Sequence, residues 1–344
     1  MEPVNVIVGA NGTGKTNLYR ALQLLTHAAE GNLGRTLAEE GGIPSVLWAG
    51  QRRKGPVRMG VDIRFEDYTY HLELGLPPPG AVFKLDPEIK SEDLEHRPPR
   101  GRGVPLVKRQ ISTAMLRNDE GSWINHPVPL VTSESILSQV QDPHLYPEVS
   151  VIRERLLKWR FYHSFRTDPD SPIRRPRTGT LTPRLASDGS DLVCALKTIR
   201  GIGDSKGLDQ AFEEAFPDSR LILYAEKEGR QEYRIQLMVP GINRPLEAQE
   251  FSDGTLRYLC LMAALLSPRP PELIALNEPE TSLHPDLLKP LANLIAKASE
   301  RTQVWLTTHS EPLAGYVAAA AGIEPIHLEK IEGETRARGR GLLE

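Results

Sequence analysis

The stretch Gly9-Ala10-Asn11-Gly12-Thr13-Gly14-Lys15-Thr16, GANGTGKT, decides how the rest of the chain is read. Its spacing, one glycine, four residues and then Gly-Lys-Thr, fits a phosphate-binding P-loop. Glycine lets a backbone turn tightly, so the N–H groups of Asn11, Gly12, Thr13 and Gly14 can converge on one anion. Lys15 is then expected to reach the β- and γ-phosphates of ATP, and the Thr16 hydroxyl to hold Mg²⁺. The flanks agree. Val4-Asn5-Val6-Ile7-Val8 reads as a buried strand, and Asn17 to Leu25 predicts a helix. Strand, glycine loop and helix stand in the required order, and a helix N-terminus adds its own positive end. A chance match of the pattern would not need these neighbours.

At 344 residues the chain has the length of one large domain or two average ones. The net charge of −3 gives no global positive field to attract nucleic acid. Cys194 and Cys260 are far apart and lack metal or redox spacing, which suits small buried apolar residues in a reducing compartment. Leu259 to Leu266, the longest wholly apolar run, is too short to span a bilayer, and no signal-type segment opens the chain. The expectation is a soluble cytoplasmic protein without membrane contact.

Glycines from Gly31 to Gly42 break the chain after the first helix. Val57 to Phe65 and Tyr68 to Leu74 alternate like a hairpin with Glu66-Asp67 at its turn. Residues 84–130 read as loop-rich, with the basic run Arg97-Pro98-Pro99-Arg100-Gly101-Arg102 as a solvated loop. Val149 to Phe165 reads as a helix, and Arg166 to Arg184 as a second basic loop broken by proline. Leu192 to Arg200 and Leu208 to Ala215 read as helices. Arg220 to Ala225 and Tyr233 to Val239 form another strand pair around Gly229.

The distal third carries the chemistry. Leu273-Ile274-Ala275-Leu276 is a short buried strand that delivers Asn277-Glu278-Pro279-Glu280 to its C-terminal edge, where an open α/β sheet binds ligands. This is the place for a Walker B pair. Glu278 is expected to polarise the attacking water, and Asn277 stands where an acid normally holds Mg²⁺ through water. Gln303 to Thr308 is a further strand, delivering His309-Ser310, and His309 is placed to hydrogen-bond a γ-phosphate. Upstream, Phe251-Ser252-Asp253-Gly254-Thr255 precedes a segment, Leu256 to Leu266, apolar on every face and therefore buried. Ser252 and Gly254 at its N-terminus can form an anion site. The plainer reading is an N-cap by Ser252 or Asp253.

These motifs together, GANGTGKT, FSDGTLRYL, LIALNEPETSLHPDLL and LTTHS, resemble the ABC-type ATPase head. Within that group the chain is similar to the RecF/SMC/OLD-like branch of AAA-family predicted bacterial ATPases. RFYHSFRTDPDSP and LASDGSDLVCAL resemble its middle region. The resemblance implies an α/β P-loop NTPase with a mainly parallel core sheet, an antiparallel β-subdomain and a helical, signature-bearing lobe. Residues 1–30 and 251–335 would then form the nucleotide-binding core, 43–75 and 218–240 the β-subdomain, and 84–215 a loop-rich and helical insert. Phe251 to Gly254 resembles the ABC signature, Glu278 to Pro285 the Walker B and D-loop, and His309 the switch histidine.

The resemblance also implies a mechanism. Two heads pack head to tail around two ATP molecules, so Ser252 and Gly254 would act in trans on the partner's nucleotide, and hydrolysis would release the homodimer. Three departures stand out. Asn277 replaces the Walker B acid and suits slow hydrolysis. The chain starts at the P-loop strand, without the strand or two that normally precede it. No Q-loop glutamine is obvious, and Gln139 is the candidate. No nuclease module follows the head, so an effector protein partner is expected. The basic loops leave nucleic-acid binding open, without a reading motif. A nucleotide-gated scaffold and an ABC transporter motor are the competing classes, the latter opposed by the LHPDLL continuation.

Overall fold

The computed structural model describes residues 3–47, 50, 55–98, 100, 102–118, 120–225 and 232–338. Along the chain, β1 (Val4–Val8) leads into α1 (Lys15–Glu30), α2 (Leu33–Glu39) and α3 (Ile43–Val46). Six strands come next: β2 (Arg58–Arg64), β3 (Tyr68–Gly75), β4 (Glu88–His96), β5 (Val104–Gln110), β6 (Thr113–Arg117) and β7 (Trp123–Asn125). They are succeeded by α4 (Ile136–Gln139), α5 (Pro147–Lys158), β8 (Arg160–Tyr162), β9 (Arg177–Thr178), α6 (Leu192–Ile202) and α7 (Ser205–Ala215). The last part holds β10 (Arg220–Ala225), β11 (Glu232–Met238), β12 (Leu246–Glu247), α8 (Asp253–Leu265), β13 (Leu273–Asn277), α9 (Leu288–Ser299), β14 (Gln303–Thr308), α10 (Glu311–Ala321), β15 (Ile326–Ile331) and β16 (Glu334–Ala337). They fall into two compact units, one made of Met1–Tyr19 with Trp159–Glu344 and the other of Arg20–Lys158.

The first unit is built on a six-stranded sheet in the order β16-β15-β1-β14-β13-β8. Strands β15, β1, β14, β13 and β8 are parallel, and β16 closes one edge antiparallel to β15. Every residue of β1 and β13 is buried. That explains why their sequences are mostly apolar without alternation, with only Asn5 and Asn277 polar, because a parallel sheet covered on both faces has no solvent side to alternate with. Helix α8 is buried from Tyr258 to Leu265, as its all-round apolarity requires, and packs with α6 and α9. A smaller antiparallel sheet, β10-β11-β12 with β9 on β11, belongs to the same unit. The turn around Gly229 lies outside the described residues.

The second unit carries an antiparallel meander, β2 to β7 in chain order. The expected hairpin is there, and Phe65 donates its N–H to Tyr68 O at 2.7 Å across the Glu66-Asp67 turn. Tyr70, Leu72 and Leu74 alternate inward on β3. At the centre is a fully buried ion pair. Arg109 donates to Glu92 Oε2 at 2.9 Å and to the carbonyls of Ile111, Val131 and Glu134. Glu92 also accepts from Tyr70, Ser135 and the Ile136 N–H. Burial, then the Glu92 charge, pushes the Tyr70 phenol well up, so it stays a neutral donor.

Four expectations are corrected. The stretch 84–130 forms strands β4 to β7. Its charged residues disguised it, for β4 reads Glu-Ile-Lys-Ser-Glu-Asp-Leu-Glu-His, although Glu92 is buried against Arg109. The two strand pairs expected to share a β-subdomain lie in different sheets, since β2–β3 pairs onward with β4 whereas β11 pairs with β9 and β12. The helix expected to reach Phe165 stops at Lys158, and the aromatic residues after it form β8 of the core sheet. Finally, Leu33–Glu39 is helical within the glycine-rich break, its Leu33 and Leu37 buried. Arg336 lies in β16, and Arg340 lies outside the described residues.

Candidate nucleotide site

Because β1, β14, β13 and β8 run parallel, their C-terminal ends share one edge. The register aligns them closely: Val8 pairs with Thr308, Asn277 with Thr307, and Leu276 with Tyr162. The glycine loop leaves that edge from β1. Gly12 and Gly14 take φ of +83° and +99°, a region that favours glycine. At Gly14 a Cβ would also stand 2.2 Å from Thr335 Oγ1, and at Gly9 it would stand 2.6 Å from Thr13 Oγ1. Lys15 is buried, and its ammonium donates to Gly9 O at 2.5 Å and Ala10 O at 3.0 Å. The cation is therefore folded into the loop where an arriving phosphate would compete for its protons. Asn11, Gly12 and Thr16 are exposed, and Thr13 is buried with its hydroxyl on Ala10 O. Thr335, from β16, donates to Thr13 O at 2.8 Å and braces the loop from outside.

Next along the edge are His309 and Glu278. The Glu278 backbone adopts a left-handed φ of +47°, which costs a non-glycine residue energy, while its N–H bonds Thr307 O at 2.8 Å. His309 Nδ1 lies 3.7 Å from Glu278 Oε1, beyond hydrogen-bond reach, and 3.3 Å from Glu280 Oε1. Glu280 is the residue that sequence reasoning passed over. It is nearly buried, and its Oε1 accepts from Thr308 Oγ1 at 2.5 Å and the His309 N–H at 3.1 Å. Its Oε2 is buried with no partner among the described residues. One carboxylate thus fixes the turn that presents His309, and the second stands beside the imidazole.

Asn277 does not present itself as expected. It is buried, its Oδ1 accepts from Thr307 Oγ1 at 2.5 Å, and its Nδ2 lies 2.5 Å from His163 Nδ1. The amide oxygen meant for a metal-bound water is committed to a neighbouring strand. His163, exposed at the end of β8, is the side chain brought to that place. The Trp159-Arg160-Phe161-Tyr162 run before it is rich in strand formers and was the available signal. Gln139 belongs to the second unit. Its side chain accepts from Val131 N and donates to Val131 O and Glu134 O, so it braces a loop there.

Ser252 is a helix cap in this structure: its Oγ accepts from Thr255 N at 3.1 Å. It is also exposed, and no hydrogen bond among the described residues ties it to residues 9–16. Gly254 has a reason of its own, because a Cβ there would meet Ser282 O at 2.5 Å. The segment is held by Arg174, a buried arginine of the loop read as merely basic. Its guanidinium donates to the carbonyls of Thr167, Ala248, Gln249 and Phe251 and to Asp253 Oδ1 at 2.8 Å. Arg257 of α8 donates to the carbonyls of His163 and Glu278, and burial holds its guanidinium below the ordinary value.

The groups at this edge suit a nucleotide phosphate: a loop with no room for a Cβ at Gly9 or Gly14, a buried ammonium and an exposed threonine hydroxyl at a helix start. Among the described residues no cluster of three or more His, Cys, Asp or Glu forms a metal site without such a ligand. An edge of this composition on a parallel sheet defines a P-loop ATPase head. The family described as "AAA domain, putative AbiEii toxin, Type IV TA system" matches residues 4–113 and 130–314, and the chain belongs to it. In fold it is similar to the SMC head bound to the C-winged helix domain of ScpA. Identity is 15%, 98% of this chain and 90% of that one are covered, and the TM-score is 0.51. An Smc head with an extended coiled coil, bound to the C-terminal domain of ScpA derived from Pyrococcus furiosus, is 14% identical over 98% of this chain and 90% of that one, with a TM-score of 0.49. No curated protein matches the chain. Among the described residues no helix is long and apolar enough to cross a membrane, and both cysteines are free and buried.

Proposed function

We propose that the protein is an ATP-binding and hydrolysing switch whose two copies close head to tail around ATP. The observation that carries this reading is the convergence of Lys15, Glu278 and His309 at one sheet edge while Ser252 stays exposed on a separate helix start. Asn11 to Thr16 would wrap the phosphates through backbone N–H groups, and Lys15 would neutralise the β- and γ-positions. Mg²⁺, held by Thr16, would supply charge neutralisation between those phosphates. Glu278 would take up the proton of the attacking water, and His309, positioned by Glu280, would bond the γ-phosphate. Ser252 and Gly254 would complete the partner's site. The family description names a putative toxin and a type IV TA system, which supports a role in defence over one in DNA maintenance, with an effector protein as the partner such a switch would act on.

A second reading is favoured by one observation: the Asn277 amide is spent on Thr307 and His163. A site without a Walker B acid suits a scaffold that binds ATP and turns over little. Phosphate release by the full chain separates the two. The switch reading expects measurable release that Glu278→Gln lowers by about a hundredfold or more, the ordinary contribution of a general base. ATP binding with no release, in the parent as in Glu278→Gln, supports the scaffold.

A further inference from the structure

We propose that Asn277 sets His163 as a neutral hydrogen-bond donor, and that its Nε2–H meets an oxygen of the terminal phosphates of the bound nucleotide. The inference rests on the ATP reading above and adds a residue to it. Strand β8 ends beside β13, and with Leu276 opposite Tyr162 the next residues, Asn277 and His163, stand side by side. Arg257 fixes the His163 backbone through its carbonyl at 3.2 Å. The imidazole lies 6.2 Å, centroid to centroid, from Tyr19, one turn along the helix that begins at Lys15. The ring is exposed at the edge that carries the glycine loop, Glu278 and His309.

The polarity of the contact is dictated by the amide. The Asn277 oxygen is taken by the Thr307 hydroxyl, so the atom facing His163 Nδ1 is the Nδ2 amide, which can only donate. Nδ1 must then keep its lone pair, and the single proton of the neutral ring sits on Nε2. Such a ring can offer an N–H to an anionic oxygen, and its protonated Nε2 cannot ligate a metal. An aspartate at 277 would reverse this, since a carboxylate only accepts: Nδ1 would carry the proton and Nε2 the lone pair. The asparagine is therefore a choice of donor over acceptor at this edge, which a phosphate oxygen requires.

Two measurements on the full chain test it. The first needs no nucleotide: long-range ¹H–¹⁵N spectra of protein labelled in histidine, with His163 assigned by its loss in His163→Gln. The Nε2–H tautomer is expected in the parent, and the Nδ1–H tautomer in Asn277→Asp. An Nδ1–H tautomer in the parent overturns the proposal. The second is calorimetric titration with ATPγS and Mg²⁺ and, separately, ADP. His163→Phe, which keeps an aromatic ring near Tyr19, is expected to weaken ATPγS about tenfold, as loss of one hydrogen bond to a charged group does, and to leave ADP within about twofold. His163→Gln, whose amide N–H replaces Nε2–H, should restore ATPγS affinity. Equal ATPγS affinity in His163→Phe and the parent overturns the His163 assignment alone. A parent that binds no ATPγS sinks the ATP reading itself.

Discussion

Lys15→Ala is expected to lower ATP affinity by about a hundredfold, the upper range for a hydrogen bond between charged groups. The structure explains why the loss should be large and local. The ammonium is buried, and Gly9 O and Ala10 O hold it inside the loop. Alanine leaves those carbonyls facing any incoming phosphate with no cation between them. The helix behind the loop keeps its N-terminus, and β1 keeps both of its neighbours, so the fold should survive. Calorimetric titration of a variant with unchanged circular dichroism reads the effect. Undiminished affinity would remove the P-loop from the account.

The second large effect is on stability and lies in the other unit. Arg109→Met keeps an unbranched apolar stem and abolishes the charge, leaving Glu92 buried without its cation. Stranding one partner of a buried pair costs about 3–5 kcal/mol. The carbonyls of Ile111, Val131 and Glu134 lose their donor at the same time. Hydrogen exchange of the β4–β5 amides should accelerate by about a hundredfold or more. The double variant Glu92→Leu with Arg109→Met should recover part of the loss, because no charge is then left unpaired. Exchange rates in Arg109→Met equal to the parent's would mean that the pair holds nothing together.

What the sequence disclosed depends on how each element buries itself. Strands β1 and β13 are mostly apolar and fully buried in a sheet covered on both faces, and their limits, with those of β14, could be read from the sequence with little error. The hairpin of β2 and β3 is legible through its alternation. Strand β4 is not, because the carboxylate of Glu92 is satisfied by Arg109 seventeen positions away, a pairing invisible to local pattern. Strand β8 has three residues and continues from a helix without a break, so its aromatics read as part of the helix. With it goes His163, which only the sheet register places beside Asn277. Glu280 and Arg174 are hidden for a related reason: each acts on backbone far along the chain, at His309 and at Ala248 to Phe251. The P-loop, Glu278 and His309 are legible because short motifs carry their own geometry.

The central claim is that ATP joins two heads through a signature acting in trans. Sizing of Glu278→Gln and of Glu278→Gln combined with Ser252→Arg, each with ATP and Mg²⁺, tests it most directly. Ser252 is exposed at the start of α8 and bonds only within its own first turn, so an arginine there fits the isolated chain. Glu278→Gln should run as a dimer with ATP and as a monomer without it, because nucleotide that is not hydrolysed keeps the heads closed. The double variant should bind ATP with the affinity of Glu278→Gln yet stay monomeric, its arginine occupying the place of the partner's γ-phosphate. A double variant that dimerises with ATP as readily as Glu278→Gln would contradict the account and leave Ser252 a helix cap alone.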